Sequence, residues 1–138
     1  MTIRSSRHLL AAALVALAAG CGGPLVKVKG KLTYKGQPVP STYVMFQPEE
    51  EGKRASAGLT EDDGTFTLDY SRQEKGALRG KHKVWLRYYV SVEEELREIP
   101  PKASKELKAV IEKYGNADKT PLSYEVTKNG QFIEIDLK

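Results

Sequence analysis

The sequence predicts a mainly β protein: a seven-stranded antiparallel β-sandwich with one inserted α-helix, preceded by a signal peptide. Three observations lead there. Seven short stretches alternate apolar and polar residues with a period of two, the pattern of a strand with one face buried and one wet. Glycine, proline, asparagine and aspartate recur between those stretches at fairly regular spacing, as in sandwiches. A single charged segment, about 93–115, changes to a helical period.

The chain opens with Arg4 and Arg7, an apolar run from Leu9 to Ala19, and small residues leading to Cys21, the only cysteine. These are the positive, apolar and cleavage regions of a secretory signal. An apolar run of about 11 residues falls short of the roughly 20 a spanning helix needs. Residues 1–20 are therefore expected to be cleaved. Leu17-Ala18-Ala19-Gly20-Cys21 resembles the lipobox of bacterial lipoproteins, with Gly20 and Cys21 matching it well and Ala18 standing where leucine is commonest. The resemblance implies that the Cys21 thiol carries diacylglycerol and that the new amino terminus is acylated too, leaving residues 21–25 as a lipidated tether. Stable anchoring does take more than one acyl chain. By the same resemblance, the non-acidic Gly22 favours the outer over the inner membrane.

Removing Arg4 and Arg7 from the 22 basic residues leaves 20 against 18 acidic ones, a net +2. That balance argues against nucleic acid as a partner. With Cys21 acylated no thiol remains for a disulfide or a cysteine metal site. Residues 26–138 have the length of one domain, held by packing alone.

In order, Val26, Val28, Leu32 and Tyr34 alternate with Lys27, Lys29, Lys31, Thr33 and Lys35, giving the first strand. Its lysine row reads as a solvated face that also discourages edge pairing. Gly36 to Pro40 breaks the chain, since proline lacks a donor. Thr42 to Gln47 is the second strand, with Val44 and Phe46 on one face and Tyr43 and Met45 on the other. Ala57 to Thr60 is the third. Glu61-Asp62-Asp63-Gly64 reads as the turn of a hairpin into Thr65 to Tyr70. Strand five runs from about Lys81 to Ser91, with His82, Val84, Leu86, Tyr88 and Val90 on one face and Lys83, Trp85, Arg87 and Tyr89 on the other. Between Pro100-Pro101 and Gly115, Ser104 can cap a helix carrying Leu107, Val110, Ile111 and Tyr114 on one side. Thr120 to Thr127 and Phe132 to Leu137 close the chain, and Asn129-Gly130 between them is a strong hairpin signal.

Most of this stretch resembles the carboxypeptidase regulatory-like, transthyretin-like domain of small bacterial lipoproteins. The residues that carry the resemblance are Val28 through Pro40, Val44-Met45-Phe46, Gly58-Leu59-Thr60, Asp63-Gly64-Thr65-Phe66, Gly80 to Val84, and the closing Thr120-Pro121-Leu122 with Asn129-Gly130. His82, where an aromatic is usual, and the long charged insert depart from it. The resemblance implies a transthyretin-like sandwich and an accessory role without cofactor or metal.

Candidate chemistry is sparse. His82 is the only histidine outside the leader and reads as a partly buried packing residue. Two enzyme groups resemble this fold. Hydroxyisourate hydrolases end in Tyr-Arg-Gly-Ser, which Ile135-Asp136-Leu137-Lys138 lacks, and intradiol dioxygenases need two histidines on iron. Glu61, Asp62 and Asp63 could offer oxygens to calcium, but adjacent side chains diverge and a solvated turn is the plainer reading. Glu93-Glu94-Glu95 suits a helix start. Trp85, Arg87 and Tyr89 form the one candidate contact surface, for a glycan or an envelope protein. The competing reading lays the Ser104 to Tyr114 helix over Trp85 and Tyr89 as a second small core. The function expected from these residues is a membrane-anchored, non-enzymatic interaction or structural module of the cell envelope.

Overall fold

The computed structural model describes residues 24–97 and 101–138. The predicted signal peptide, Cys21 and Pro100 lie outside the described residues. Ten strands and two helices follow in order: β1 (Leu25–Val26), β2 (Val28–Tyr34), β3 (Gln37–Pro38), β4 (Thr42–Pro48), β5 (Ser56–Leu59), β6 (Thr65–Thr67), β7 (Ala77–Leu78), β8 (Gly80–Tyr88), α1 (Val92–Arg97), α2 (Lys105–Lys113), β9 (Ser123–Val126) and β10 (Gln131–Leu137). The expected count of seven strands and one helix is thus exceeded. Two-residue strands β1, β3 and β7 are too short to show a period, and α1 is a separate helix.

Two four-stranded sheets form the sandwich. One has the order β5-β4-β8-β9; the other has β2 between β10 and β3, with β6 also on β2; β1 and β7 make a small third sheet. The expected all-antiparallel pairing fails at one place, because β10 runs parallel to β2 from Gln131 beside Val28 to Leu137 beside Tyr34. β2 is therefore an inner strand, and its lysines do not guard an edge.

The period-two reading of faces holds in the core. Val28, Leu32, Ile133, Ile135 and Leu137 from one sheet meet Val44, Phe46, Val84, Leu86 and Val126 from the other, all buried. Phe46 sits at the centre, with ring centroids 6.4 Å from Phe66, 5.8 Å from His82 and 6.3 Å from Tyr124. Val90, expected inward, lies beyond the end of β8 and is half exposed.

Of the two predicted hairpins, the first forms only in part while its strands join different sheets, and the second is a crossing between sheets. The Glu61–Gly64 turn forms, closed by Gly64 N–H to Glu61 O and Glu61 N–H to Thr65 O at 2.9 Å each. Its two arms pair at Ala57 and Asp69, whose N–H groups each donate to the other's carbonyl at 2.9 Å, but the ladder of β5 is with β4 and that of β6 with β2. The Asn129-Gly130 turn likewise leads from β9, paired with β8, to β10, paired with β2. Its polar groups bind Lys27 instead of closing a ladder: Lys27 N–H donates to Asn129 Oδ1 and Gly130 N–H to Lys27 O, both at 2.9 Å. Alternation identifies the buried face of each strand and is silent on its neighbour. The tight two-residue hairpin is at Lys35-Gly36, with φ of 51° and 75°, where the sequence reads as a simple break. Positive φ at both central residues is what a type I′ turn demands.

The helices are capped as their sequences direct. Ser104 Oγ accepts from Leu107 N–H at 3.1 Å at the start of α2. Ser91 and Glu94 form a reciprocal capping box on α1, with bonds of 3.1 and 3.2 Å. Ile111 and Tyr114 of α2 are buried in the sandwich core, with Leu107 and Val110 packed beside them. Leu86 N–H donates to Tyr114 O at 3.0 Å, so the end of α2 continues the hydrogen bonding of the β8 edge.

Gly30 has a specific packing role. A Cβ there would run into the Phe66 ring and the Ile133 carbonyl. The missing side chain is the space Phe66 fills on its way to Phe46. Gly30→Ala is expected to destabilise the fold by about 1–3 kcal/mol, the usual penalty of overpacking, read as a lower urea midpoint with unchanged slope.

Candidate functional site

The outer face of the β5-β4-β8-β9 sheet is the candidate site. Inward residues of β4 and β8 are even-numbered, so Tyr43, Met45, Trp85 and Arg87 are turned outward. Strand register aligns them: Tyr43 lies between Leu59 and Arg87, and Met45 between Ala57 and Trp85. Tyr89, just past β8, meets the Tyr43 ring edge-on at 5.6 Å, and the Arg87 guanidinium sits 5.4 Å from the Tyr43 centroid. Tyr89 is 38 % exposed and Leu59 39 %, while Trp85 is half-buried. Tyr89 is fixed by its N–H, which donates to Ser41 O at 2.7 Å.

All three predicted contact residues, Trp85, Arg87 and Tyr89, share this face. The reading that α2 covers Trp85 and Tyr89 is corrected: the helix turns its apolar side into the sandwich core. Only one flank of α2 meets the face, where Trp85, Arg87, Lys108, Glu112 and Asn116 border a groove of about 530 Å³. Trp85 Nε1 is buried there without a hydrogen-bond partner among the described residues. On the opposite side, Tyr43 and Met45 continue into a second groove of about 490 Å³ rimmed by Arg54 and Arg72. Tyr43, Met45 and Leu59 also belong to this face and are absent from the contact set expected from the sequence. Alternation already placed Tyr43 and Met45 on the non-core face, but only register shows that this face is the one carrying Trp85.

The other candidates go elsewhere. Asp63 accepts from the Thr65 N–H and hydroxyl at 2.9 and 2.6 Å, contacts that hold its carboxyl below the ordinary carboxylate range. Asp62 pairs with Lys102 at 2.8 Å. These two carboxylates are thus turned to separate partners, and no group of three or more metal-binding side chains occurs among the described residues. Glu94 is used in capping α1.

His82 is fully buried, not partly as expected. Its Nδ1 lies 3.0 Å from Gly80 O, and its Nε2 has no partner among the described residues. Burial pushes its pKa below the ordinary 6.5, partly offset by the Gly80 carbonyl and by Glu49. The imidazole is enclosed by Phe46 and the neighbouring core and has no route to a solvent-borne substrate.

Scans against known protein families and against curated proteins find no match. Among solved structures, the chain is similar to a DUF3823 family protein from Parabacteroides merdae ATCC 43184, with 13 % identity and a TM-score of 0.44 over 85 % of this chain. The match spans 47 % of that protein, so this chain covers about half its length.

The His82 environment yields a pH prediction. The folded protein keeps His82 neutral where the unfolded chain takes up a proton, so acid favours unfolding once the pH falls below the unfolded value near 6.5. Stability is expected to fall through that window, and His82→Phe is expected to lose less of it. Urea midpoints of both proteins above and below pH 6.5 test this; parallel losses would mean that other groups carry the acid sensitivity.

Proposed function

We propose that the protein is a lipid-anchored, non-catalytic binding module of the cell envelope whose contact surface is the outer aromatic face of the β5-β4-β8-β9 sheet. The observation that carries this is the cluster of Tyr43, Met45, Trp85, Arg87 and Tyr89 on the outer face, aligned by register on one sheet, with Arg87 and Tyr89 exposed and the other three half-buried. Aromatic and arginine side chains on a fixed support are the residues that dominate binding energies at interfaces. Sequestration of the only imidazole of the mature chain in the core supports a role without acid–base catalysis.

Export and anchoring are supported by the short apolar leader and by the small residues before Cys21. No helix among the described residues is long and apolar enough to cross a membrane. On this reading the acyl groups at Cys21 hold the domain at the membrane, with the outer membrane favoured. The finer fold reading, a transthyretin-like domain of the carboxypeptidase regulatory type, rests on the motifs from Val28 to Pro40 and from Gly58 to Phe66.

A second reading is a carbohydrate-binding module on the same face. It is favoured by the groove beside Trp85, where Arg87, Lys108 and Asn116 supply hydrogen-bond donors around an aromatic wall.

Cys21→Ala is expected to release the protein from the membrane fraction; retention would remove the anchoring part. In intact envelopes, crosslinking followed by affinity capture is expected to recover one dominant protein partner, and Arg87→Ala with Tyr89→Ala to lower its yield at least tenfold. An unchanged yield would sink the assignment of the face. For the second reading, Trp85 fluorescence is expected to shift with one member of a glycan panel, and a flat response across the panel would remove it.

A further inference from the structure

The end of the sandwich where the chain enters from Cys21 has a distinct chemistry. Pro24 O accepts the Arg79 N–H at 3.1 Å, so the first described residue is pinned beside Arg79. The Arg79 guanidinium donates to Thr127 O, and Lys27 is held by Asn129 and Gly130 in the next turn. Lys29 lies beside Phe132 in the parallel β2–β10 register. Three distant segments therefore bring Lys27, Lys29, Arg79 and Lys128 to one corner around Phe132, which is 55 % exposed on the outer face. Among the described residues none of these four cations is ion-paired, whereas Lys35, Lys53, Lys75 and Lys102 are. Of the acidic residues at the same end, Glu49 to Glu51 follow β4 of the other sheet and Glu125 lies beside Lys81 in the β8–β9 register, while Glu134 lies further along β10 beside Lys31.

We propose that this corner is the membrane-facing surface of the protein, where Lys27, Lys29, Arg79 and Lys128 bind the phosphates of anionic phospholipid headgroups and Phe132 enters the interface. The inference rests on the anchoring of Cys21 proposed above. From Cys21 to Pro24 the chain reaches at most about 10 Å, so acylation holds this corner within roughly one Debye length of the headgroups. At that range each basic residue favours the surface, and a partly inserted aromatic adds to it. The four charges act together only because the fold collects them. The same arrangement stands the sandwich on one end and leaves Tyr43, Trp85 and Tyr89 on a side wall, open to a partner.

The test uses the processed protein purified from membranes and reconstituted into phosphatidylcholine vesicles with and without phosphatidylglycerol. Intact mass reports first whether Cys21 is acylated. An environment-sensitive fluorophore is then placed on Phe132→Cys and, at the opposite end of β2, on Gln37→Cys. A blue shift at position 132 that requires phosphatidylglycerol, with none at 37, is expected. Lys27→Gln and Lys128→Gln are expected to shift the docked-to-detached ratio about fivefold per charge, and high salt to reverse docking. Equal responses at both positions, or a shift at 132 indifferent to lipid charge, would overturn the proposal with the anchoring intact. If no acyl mass is found, the anchoring reading fails on its own. Flotation of that unacylated protein with phosphatidylglycerol vesicles then decides: loss of flotation in the lysine variants supports the corner, and no flotation of the parent overturns it.

Discussion

The burial of Phe46 between the two sheets is the contact on which the rest of the structure depends. Its ring meets Phe66 from the opposite sheet and His82 and Tyr124 from its own. Phe66 reaches it through the space that Gly30 leaves on β2. Because β2 also holds β10, β3 and β6, this one glycine couples the strand pairing of one sheet to the core of the other. A fully buried aromatic contributes several kcal/mol to a domain whose net stability is only about 5–15 kcal/mol. His82 is kept in this core without a partner for Nε2 among the described residues, and burial holds its pKa below the ordinary value.

Closing the sandwich decides where a binding surface can be. Beyond Lys83, β8 has no β9 partner, and its edge is satisfied by the segment that follows α2: Leu86 N–H bonds Tyr114 O and Val84 N–H bonds Leu122 O, at 3.0 Å each. Tyr114 Oη also donates to Lys138 O at 3.0 Å, tying the helix to the end of β10. α2 therefore spends Ile111 and Tyr114 on the core. The aromatic face outside is left half-wet, flanked by grooves instead of being roofed. The proposed role of that face follows from this use of α2.

Much of this was legible in the chain. The buried faces of β2, β4, β8 and β10, the cap at Ser104 and the apolar stripe of α2 are local periodicities, because side-chain direction in a strand or helix is set by position along the element. The separation of Trp85, Arg87 and Tyr89 from the core residues of β8 follows from the same rule. What was not legible is who pairs with whom. Glu61–Gly64 and Asn129-Gly130 have the turn chemistry of hairpins, yet each leads from one sheet to the other, the first keeping only the Ala57–Asp69 bridge of a hairpin ladder, since a turn's backbone geometry is the same whether the next strand joins the same sheet or the facing one.

The sequence by itself determined a β-rich sandwich pattern and the inward set of most strands, both properties of near neighbours along the chain. Tertiary structure alone decided that β10 runs parallel to β2, that Tyr43 and Met45 join Trp85 and Tyr89, that α2 turns to the core, and that Lys27, Lys29, Arg79 and Lys128 meet around Phe132. Those are contacts between residues tens of positions apart. Their partners are selected by which apolar faces can be covered at once, a condition that no local window of sequence contains.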